Sequence, residues 1–82
     1  MEKNQYNING KRDGYWEAYR NDDTIIFKGY YSNNLREGYW KGYWRNGQLG
    51  YKGYCKNDEH MGYWEFYNEE GELKEIEYFL VD

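Results

Sequence analysis

The chain has no proline, one cysteine and one histidine, and no apolar run of the roughly 18 residues needed to cross a bilayer. A lone cysteine rules out an internal disulfide framework and agrees with a reducing compartment. A single His and a single Cys do not make a metal site, so none is expected. The first residues, Met1-Glu2-Lys3-Asn4-Gln5, carry no apolar stretch of signal-peptide length, and the expected location is cytoplasmic. Positive charge is also in deficit. Eleven Lys and Arg against fifteen Asp and Glu give a formal net charge of −4, the wrong sign for a protein that neutralises nucleic-acid phosphates, so no direct nucleic-acid partner is expected. At 82 residues there is room for one thin-cored domain and little for a catalytic cleft.

Aromatic residues are abundant instead: 12 Tyr, 4 Trp and 3 Phe, with 10 Gly. Disordered chains are poor in aromatics, so the low mean hydropathy does not signal disorder here. Gly-Tyr-Trp occurs at residues 14–16, 38–40 and 62–64, a step of 24 residues each time. The same step relates Tyr19, Tyr43 and Tyr67, then Ile25, Leu49 and Leu73, then Tyr6, Tyr30, Tyr54 and Tyr78. The chain is therefore a repeat array, divided as a partial repeat 1–13 and repeats 14–37, 38–61 and 62–82.

Turn-forming residues fall at two places in each unit. Asn21-Asp22-Asp23, Asn46-Gly47 and Glu70-Gly71 mark one, and Asn9-Gly10, Asn33-Asn34 and Asn57-Asp58 the other. Asn, Asp and Gly tolerate the positive φ of tight hairpins, and the aromatic-rich stretches between them have strand length and composition. The expected fold is all-β: a single curled antiparallel meander of about seven strands, the first around residues 2–8, built from stacked hairpins. Setting residue 16 opposite residue 29 gives one row of Trp16, Gly29, Trp40, Gly53, Trp64 and Glu77. Each indole then has a bare glycine beside it to cover. The opposite face carries a ladder of Tyr6, Tyr15, Tyr30, Tyr39, Tyr54, Tyr63 and Tyr78, and beside it the charge row Glu17, Lys28, Lys41, Lys52 and Glu65. The Trp face, with Ala18, Ile25, Phe27, Tyr31, Trp44, Leu49, Tyr51, Cys55, Phe66, Leu73 and Phe79, is expected to be the better-buried side.

Gly-x-Trp-x-x-Tyr, an Asn-Gly or Glu-Gly turn, an aliphatic residue and then Lys-Gly-x-Tyr resembles the variant MORN repeat, as found in bacterial YwqK-type antitoxin proteins. Residues 38–56 carry the fullest match. The first repeat departs at Asp23, and the last has Ile76-Glu77 in place of Lys-Gly. The resemblance implies an extended sheet of hairpins that binds proteins, in some members a toxin held inactive.

No catalytic or cofactor-binding constellation emerges from the residues. His60, beside Asp58 and Glu59, reads as a solvated turn residue, and Cys55 as a small buried thiol without an activating base. The expected function is a non-catalytic protein-binding module, a stoichiometric antitoxin-like or inhibitor protein acting on a nucleic-acid-handling or defence enzyme. Its aromatic contact residues are Tyr15, Tyr30, Tyr39, Tyr54, Tyr63, Trp40 and Trp44. An acidic turn pole of Asp22, Asp23, Glu69, Glu70 and Glu72 steers a partner with a basic surface. The last strand offers Ile76, Tyr78 and Leu80 as an edge for a homodimer. Choline or carbohydrate binding by aromatic cages is the alternative reading. Membrane-surface scaffolding is a third, for which Lys28, Lys41 and Lys52 supply the only basic row.

Overall fold

A computed structural model describes residues 2–80, and all of its regular structure is strand. Seven strands form one antiparallel sheet: β1 (Gly14–Tyr19), β2 (Ile25–Ser32), β3 (Leu35–Arg36), β4 (Gly38–Tyr43), β5 (Leu49–Lys56), β6 (Glu59–Tyr67) and β7 (Leu73–Phe79). The order is β1-β2-β4-β5-β6-β7, with β3 on β2, and the sheet is an open hairpin meander, not a closed barrel. Its extents of 41 × 39 × 18 Å are those of a slab one sheet thick.

The expected strand count holds, but its composition differs. Residues 2–8 form only a single bridge, Tyr6 to Arg12, because Asn4 and Gly10 take positive φ and break any run between them. The seventh strand is β3, separated from β4 by Glu37, whose amide turns to the carbonyl of Tyr30. The leading segment still has a role. Asn4 N–H donates to the Tyr15 carbonyl, Asp13 N–H to the Gln5 carbonyl and Glu17 N–H to Asn4 Oδ1, so this segment covers the outer edge of β1.

Two turn types alternate. At Asn33-Asn34 and Asn57-Asp58 both central residues have positive φ, 51° and 71° in one and 51° and 70° in the other, which is the two-residue turn that suits the sheet's right-handed twist. At the other end Arg20–Thr24, Trp44–Gln48 and Asn68–Glu72 are longer turns, each closed by a backbone bond from its first residue's N–H to its last residue's carbonyl. The left-handed position is Gly47 and Gly71 in two of them and Asp23, at φ 69°, in the first. Asn7–Lys11 is closed the same way, with Gly10 at φ 76°, so Asn9-Gly10 belongs to this longer class and not with Asn33-Asn34.

Within each hairpin the expected register is the observed one: Trp16 opposes Gly29, Trp40 opposes Gly53 and Trp64 opposes Glu77. The covering interaction, however, runs between repeats. A methyl group at Gly29 would sit 2.2 Å from the Trp40 indole, and one at Gly53 would sit 2.1 Å from that of Trp64. Each indole thus lies on the glycine of the preceding hairpin, and its Nε1–H reaches further back, from Trp40 to the Tyr30 carbonyl at 3.1 Å and from Trp64 to the Tyr54 carbonyl at 3.0 Å. Trp16 repeats the contact onto Gln5 of the leading segment. Tyr51 covers Gly42 in the same fashion, within its own hairpin.

The core is accordingly the Trp face: Tyr31, Trp40, Cys55 and Trp64 are buried, with Trp16, Phe27, Tyr51, Phe66 and Phe79 packed against them. Ile25, Leu49 and Leu73 leave that face. A bulge recurs in every hairpin, with Ile26, Gly50 and Lys74 as its extra residues, so that Ile25, Leu49 and Leu73 pair with Tyr19, Tyr43 and Tyr67 on the Tyr face.

Since an added methyl has nowhere to go beneath a packed indole, Gly29→Ala and Gly53→Ala should each destabilise the fold by about 1–3 kcal/mol. Urea unfolding midpoints check this, and unchanged midpoints would refute the indole-on-glycine packing.

Candidate functional site

Because the Trp face is occupied in making the core, the exposed aromatics lie on the other side. Tyr30, Tyr39, Tyr54, Tyr63 and Tyr78 are 43–70 % exposed. The ladder is not continuous. Rings meet in the first and third hairpins, Tyr15 with Tyr30 at 5.3 Å and Tyr63 with Tyr78 at 4.8 Å, whereas Tyr6 crosses to the other face and packs edge-on against Trp16 at 5.2 Å. Between repeats the register slips: Tyr54 pairs with Met61, and the Tyr30 ring lies against Gly38. The positive φ of Gly38 and Gly62 bends the chain at both places.

The charge row beside these tyrosines forms as expected, with Glu17 opposite Lys28, Lys28 opposite Lys41, Lys41 opposite Lys52 and Lys52 opposite Glu65. Its ends are neutralised. Glu65 lies 3.5 Å from Lys52 and accepts from the Tyr67 hydroxyl. Glu17 accepts from Lys3 Nζ at 2.7 Å, Tyr15 OH at 2.7 Å and Tyr19 OH. These three donors, Lys3 first, hold the Glu17 carboxyl down to about 2.

Of the remaining aromatic positions, Trp40 is 3 % exposed, so its indole meets Gly29 and Tyr31, not solvent. Trp44 is 39 % exposed and its Nε1–H donates to the Tyr67 carbonyl of the next repeat at 3.0 Å. It walls a hollow of about 450 Å³ with Tyr43, Tyr51, Phe66 and Tyr67. Arg20 shares that wall, and its guanidinium opposes a quaternary ammonium guest.

The acidic residues Asp22, Asp23, Glu69, Glu70 and Glu72 all fall in the longer turns, which stack side by side. Arg45 reaches Asp22 at 2.5 Å, and Asn46 Nδ2 donates to the Glu69 carbonyl at 2.8 Å. Arg20 also belongs to this edge, bonding Thr24 Oγ1 and the Ile25 carbonyl, so two arginines temper the five carboxylates. At the far side of the sheet Ile76, Tyr78 and Leu80 are 53 %, 55 % and 82 % exposed on and just beyond β7, which pairs only with β6 among the described residues.

His60 departs from the solvated-turn expectation. It lies in β6 opposite Cys55, stacks flat on Trp64 at 3.9 Å and meets Phe79 edge-on at 4.9 Å. The 24-residue step carries the missed signal, since His60 occupies the position of Arg12 and Arg36. Arg12 likewise rests on the Tyr31 ring at 4.1 Å, and Arg36 pairs with Asp58 at 2.7 Å. Burial first, and then the charge of Arg36, lower the His60 pKa. Cys55 is fully enclosed, and burial pushes its thiol pKa up, which opposes thiolate chemistry. Among the described residues no three His, Cys, Asp or Glu side chains gather as a metal cluster would require.

These features define a single-layer, all-β hairpin array with one face packed into a core and a tyrosine-rich face left open. No protein-family model, curated protein or solved structure matches the chain. Among the described residues no helix is long and apolar enough to cross a membrane.

Two pH dependences follow. A depressed carboxylate pKa stabilises the fold above the unfolded value and loses that contribution as pH falls through the folded one. Acid titration should therefore show a loss between about 4.5 and about 2 that Glu17→Gln removes, together with about 1–2 kcal/mol of stability at neutral pH. His60 is depressed as well, so stability should also fall as pH drops from 6.5 through its folded pKa. His60→Phe should flatten that slope in denaturation measured across pH, and an unaltered slope would contradict the stacked, desolvated imidazole.

Proposed function

We propose that the protein is a non-catalytic binding module that occupies a partner protein's surface, in the manner of a stoichiometric inhibitor or antitoxin. The observation that carries this reading is the division of labour between the faces. The indoles are spent on the core, while Tyr30, Tyr39, Tyr54 and Tyr63 remain 43–70 % exposed on one side of a slab 41 × 39 Å across. Tyrosine brings large contact area at low entropic cost and is enriched at interface hot spots. A standard interface needs about 800 Å² per partner, which a face of this size supplies. The resemblance to variant MORN repeats supports the same reading, with Tyr15, Tyr30, Tyr39, Tyr54 and Tyr63 as the contact row and Trp44 at its margin.

The turn edge of Asp22, Asp23, Glu69, Glu70 and Glu72 gives the module a directional field that attracts a basic partner, such as a nucleic-acid-handling enzyme. Ile76, Tyr78 and Leu80 on the open edge are the residues through which two copies would pair.

The test is capture of the partner from the native host by immobilised protein, followed by kinetics with the purified pair. Tyr39→Ala and Tyr54→Ala should each weaken binding by about 1–2 kcal/mol, mainly through faster dissociation. Reversing the charges of Asp22, Asp23, Glu69 and Glu70 should slow association and flatten its salt dependence. A partner held equally well by the tyrosine variants would defeat the proposed face, and an unchanged on-rate would defeat the steering.

A further inference from the structure

On the Tyr face, a hollow of about 290 Å³ opens between the first two hairpins. Tyr15, Tyr30 and Tyr39 supply its aromatic wall, Lys28 and Lys41 its charge, and Gly29 lines it between them. The two lysines are directly opposite each other on β2 and β4, an arrangement that costs stability in a sheet. Neither forms an ion pair among the described residues.

The rest of the row shows that this vacancy of negative charge is local. One repeat later Lys52 lies opposite Glu65 and is neutralised by it at 3.5 Å. Lys28 has a carboxylate opposite it too, that of Glu17, but Glu17 is drawn off to Lys3, Tyr15 and Tyr19. Both ammonium groups are thereby left without a carboxylate, and Lys28 Nζ lies over the Tyr43 ring, 5.5 Å from its centroid, a contact it would exchange for a phosphate oxygen. The slip in register between β2 and β4 adds the space: the ladder ends at Lys28 and Lys41, and the Tyr30 ring rests on Gly38.

We propose that this hollow binds a phosphomonoester carried on a flat ring. Two lysines match the charge of nearly −2 on a phosphomonoester better than the single charge of a carboxylate. Lysine serves phosphate well as a point charge, and tyrosine rings take a planar group by stacking. The tyrosine row and the lysine row are two residues apart along the strands, roughly 7 Å. The flexible four-carbon stems of the lysines let their ammonium groups close part of that gap, so a phosphate held at or within that distance of the ring satisfies both. Two sources offer that chemistry, a nucleoside monophosphate and the side chain of phosphotyrosine.

The experiment titrates the isotope-labelled protein with adenosine monophosphate and with phenyl phosphate, using adenosine and inorganic phosphate as half-ligands. Saturable shifts in the Lys28, Lys41, Tyr15, Tyr30 and Tyr39 signals are expected with the ring phosphates. Each half-ligand should bind about tenfold or more weakly. Tighter binding of adenosine monophosphate assigns the site to nucleotides, and tighter binding of phenyl phosphate to a phosphotyrosyl group. Lys28→Gln and Lys41→Gln should each weaken binding about tenfold, whereas Lys56→Gln should leave it unaltered. Lys41→Gln should also hold or raise the unfolding midpoint, because it removes a like charge from between Lys28 and Lys52. A lowered midpoint would instead make Lys41 a structural residue and overturn the assignment. So would silence at about 10 mM ring phosphate, equal binding of inorganic phosphate, or undiminished binding by the lysine variants.

Discussion

The structure depends on an indole lying on a glycine one hairpin back. A sheet without a second layer has no opposing surface in which to bury its side chains, and short chains are poorly placed to supply one. Here the covering layer comes from the sheet itself. Trp40 lies over Gly29 and Trp64 over Gly53, close enough that no β-carbon fits beneath either ring. The result is a tryptophan 1 % exposed and another 3 % exposed in a slab 18 Å thick. Each ring also satisfies its one donor on a carbonyl of the preceding hairpin, so burial leaves no orphaned indole N–H. The same contact stitches successive repeats together, which backbone pairing alone does less well where β2 meets β4 and β5 meets β6, since both ladders are interrupted there.

Covering one face in this way determines what the other can do. The tyrosines are held in place by the hairpins that carry them, yet they keep much of their surface in solvent. Charge is distributed unevenly across the same molecule: carboxylates collect in the stacked longer turns, while two lysines on the Tyr face have no carboxylate partner among the described residues. A net charge of −4 conceals this contrast. An aromatic face with its own local electrostatics, presented on a scaffold with an enclosed thiol and a desolvated imidazole, is suited to recognition. On the proposed binding reading, what is recognised would be set by side chains, because a hairpin array by itself specifies no activity.

Much of the fold is legible in the sequence, for a physical reason. A 24-residue step that brings Trp beside Gly along one row constrains strand pairing far more tightly than composition does. The charge row from Glu17 to Glu65 forms as read, as do the pairs of the Trp row within each hairpin. Between hairpins that row is kept by indole packing, since the β2–β4 ladder stops at Lys28 and Lys41 and the β5–β6 ladder skips Gly53. What escapes is local. The recurring bulge falls on Ile26, Gly50 and Lys74, three residue types with no shared preference, so the flip of Ile25, Leu49 and Leu73 leaves no trace in the letters. Which tryptophan covers which glycine is equally hidden, since Gly29 has an indole on either side in the row. His60 was readable in principle: its neighbours Asp58 and Glu59 suggest a turn, but the repeat step aligns it with Arg12 and Arg36 over the aromatic face. The release of Lys28 was not readable, because it depends on Lys3, which lies in a segment outside the repeat pattern, reaching Glu17.

The most direct measurement of the central contact is the proton chemical shift of the glycine α-hydrogens. An α-proton pointing into the face of an indole is strongly shielded by the ring current. The account predicts pronounced upfield shifts at Gly29 and Gly53, with nuclear Overhauser contacts from Gly29 to the ring of Trp40 and from Gly53 to that of Trp64. Ordinary shifts at both glycines, or contacts from Gly29 to Trp16 and from Gly53 to Trp40 in their place, would contradict it.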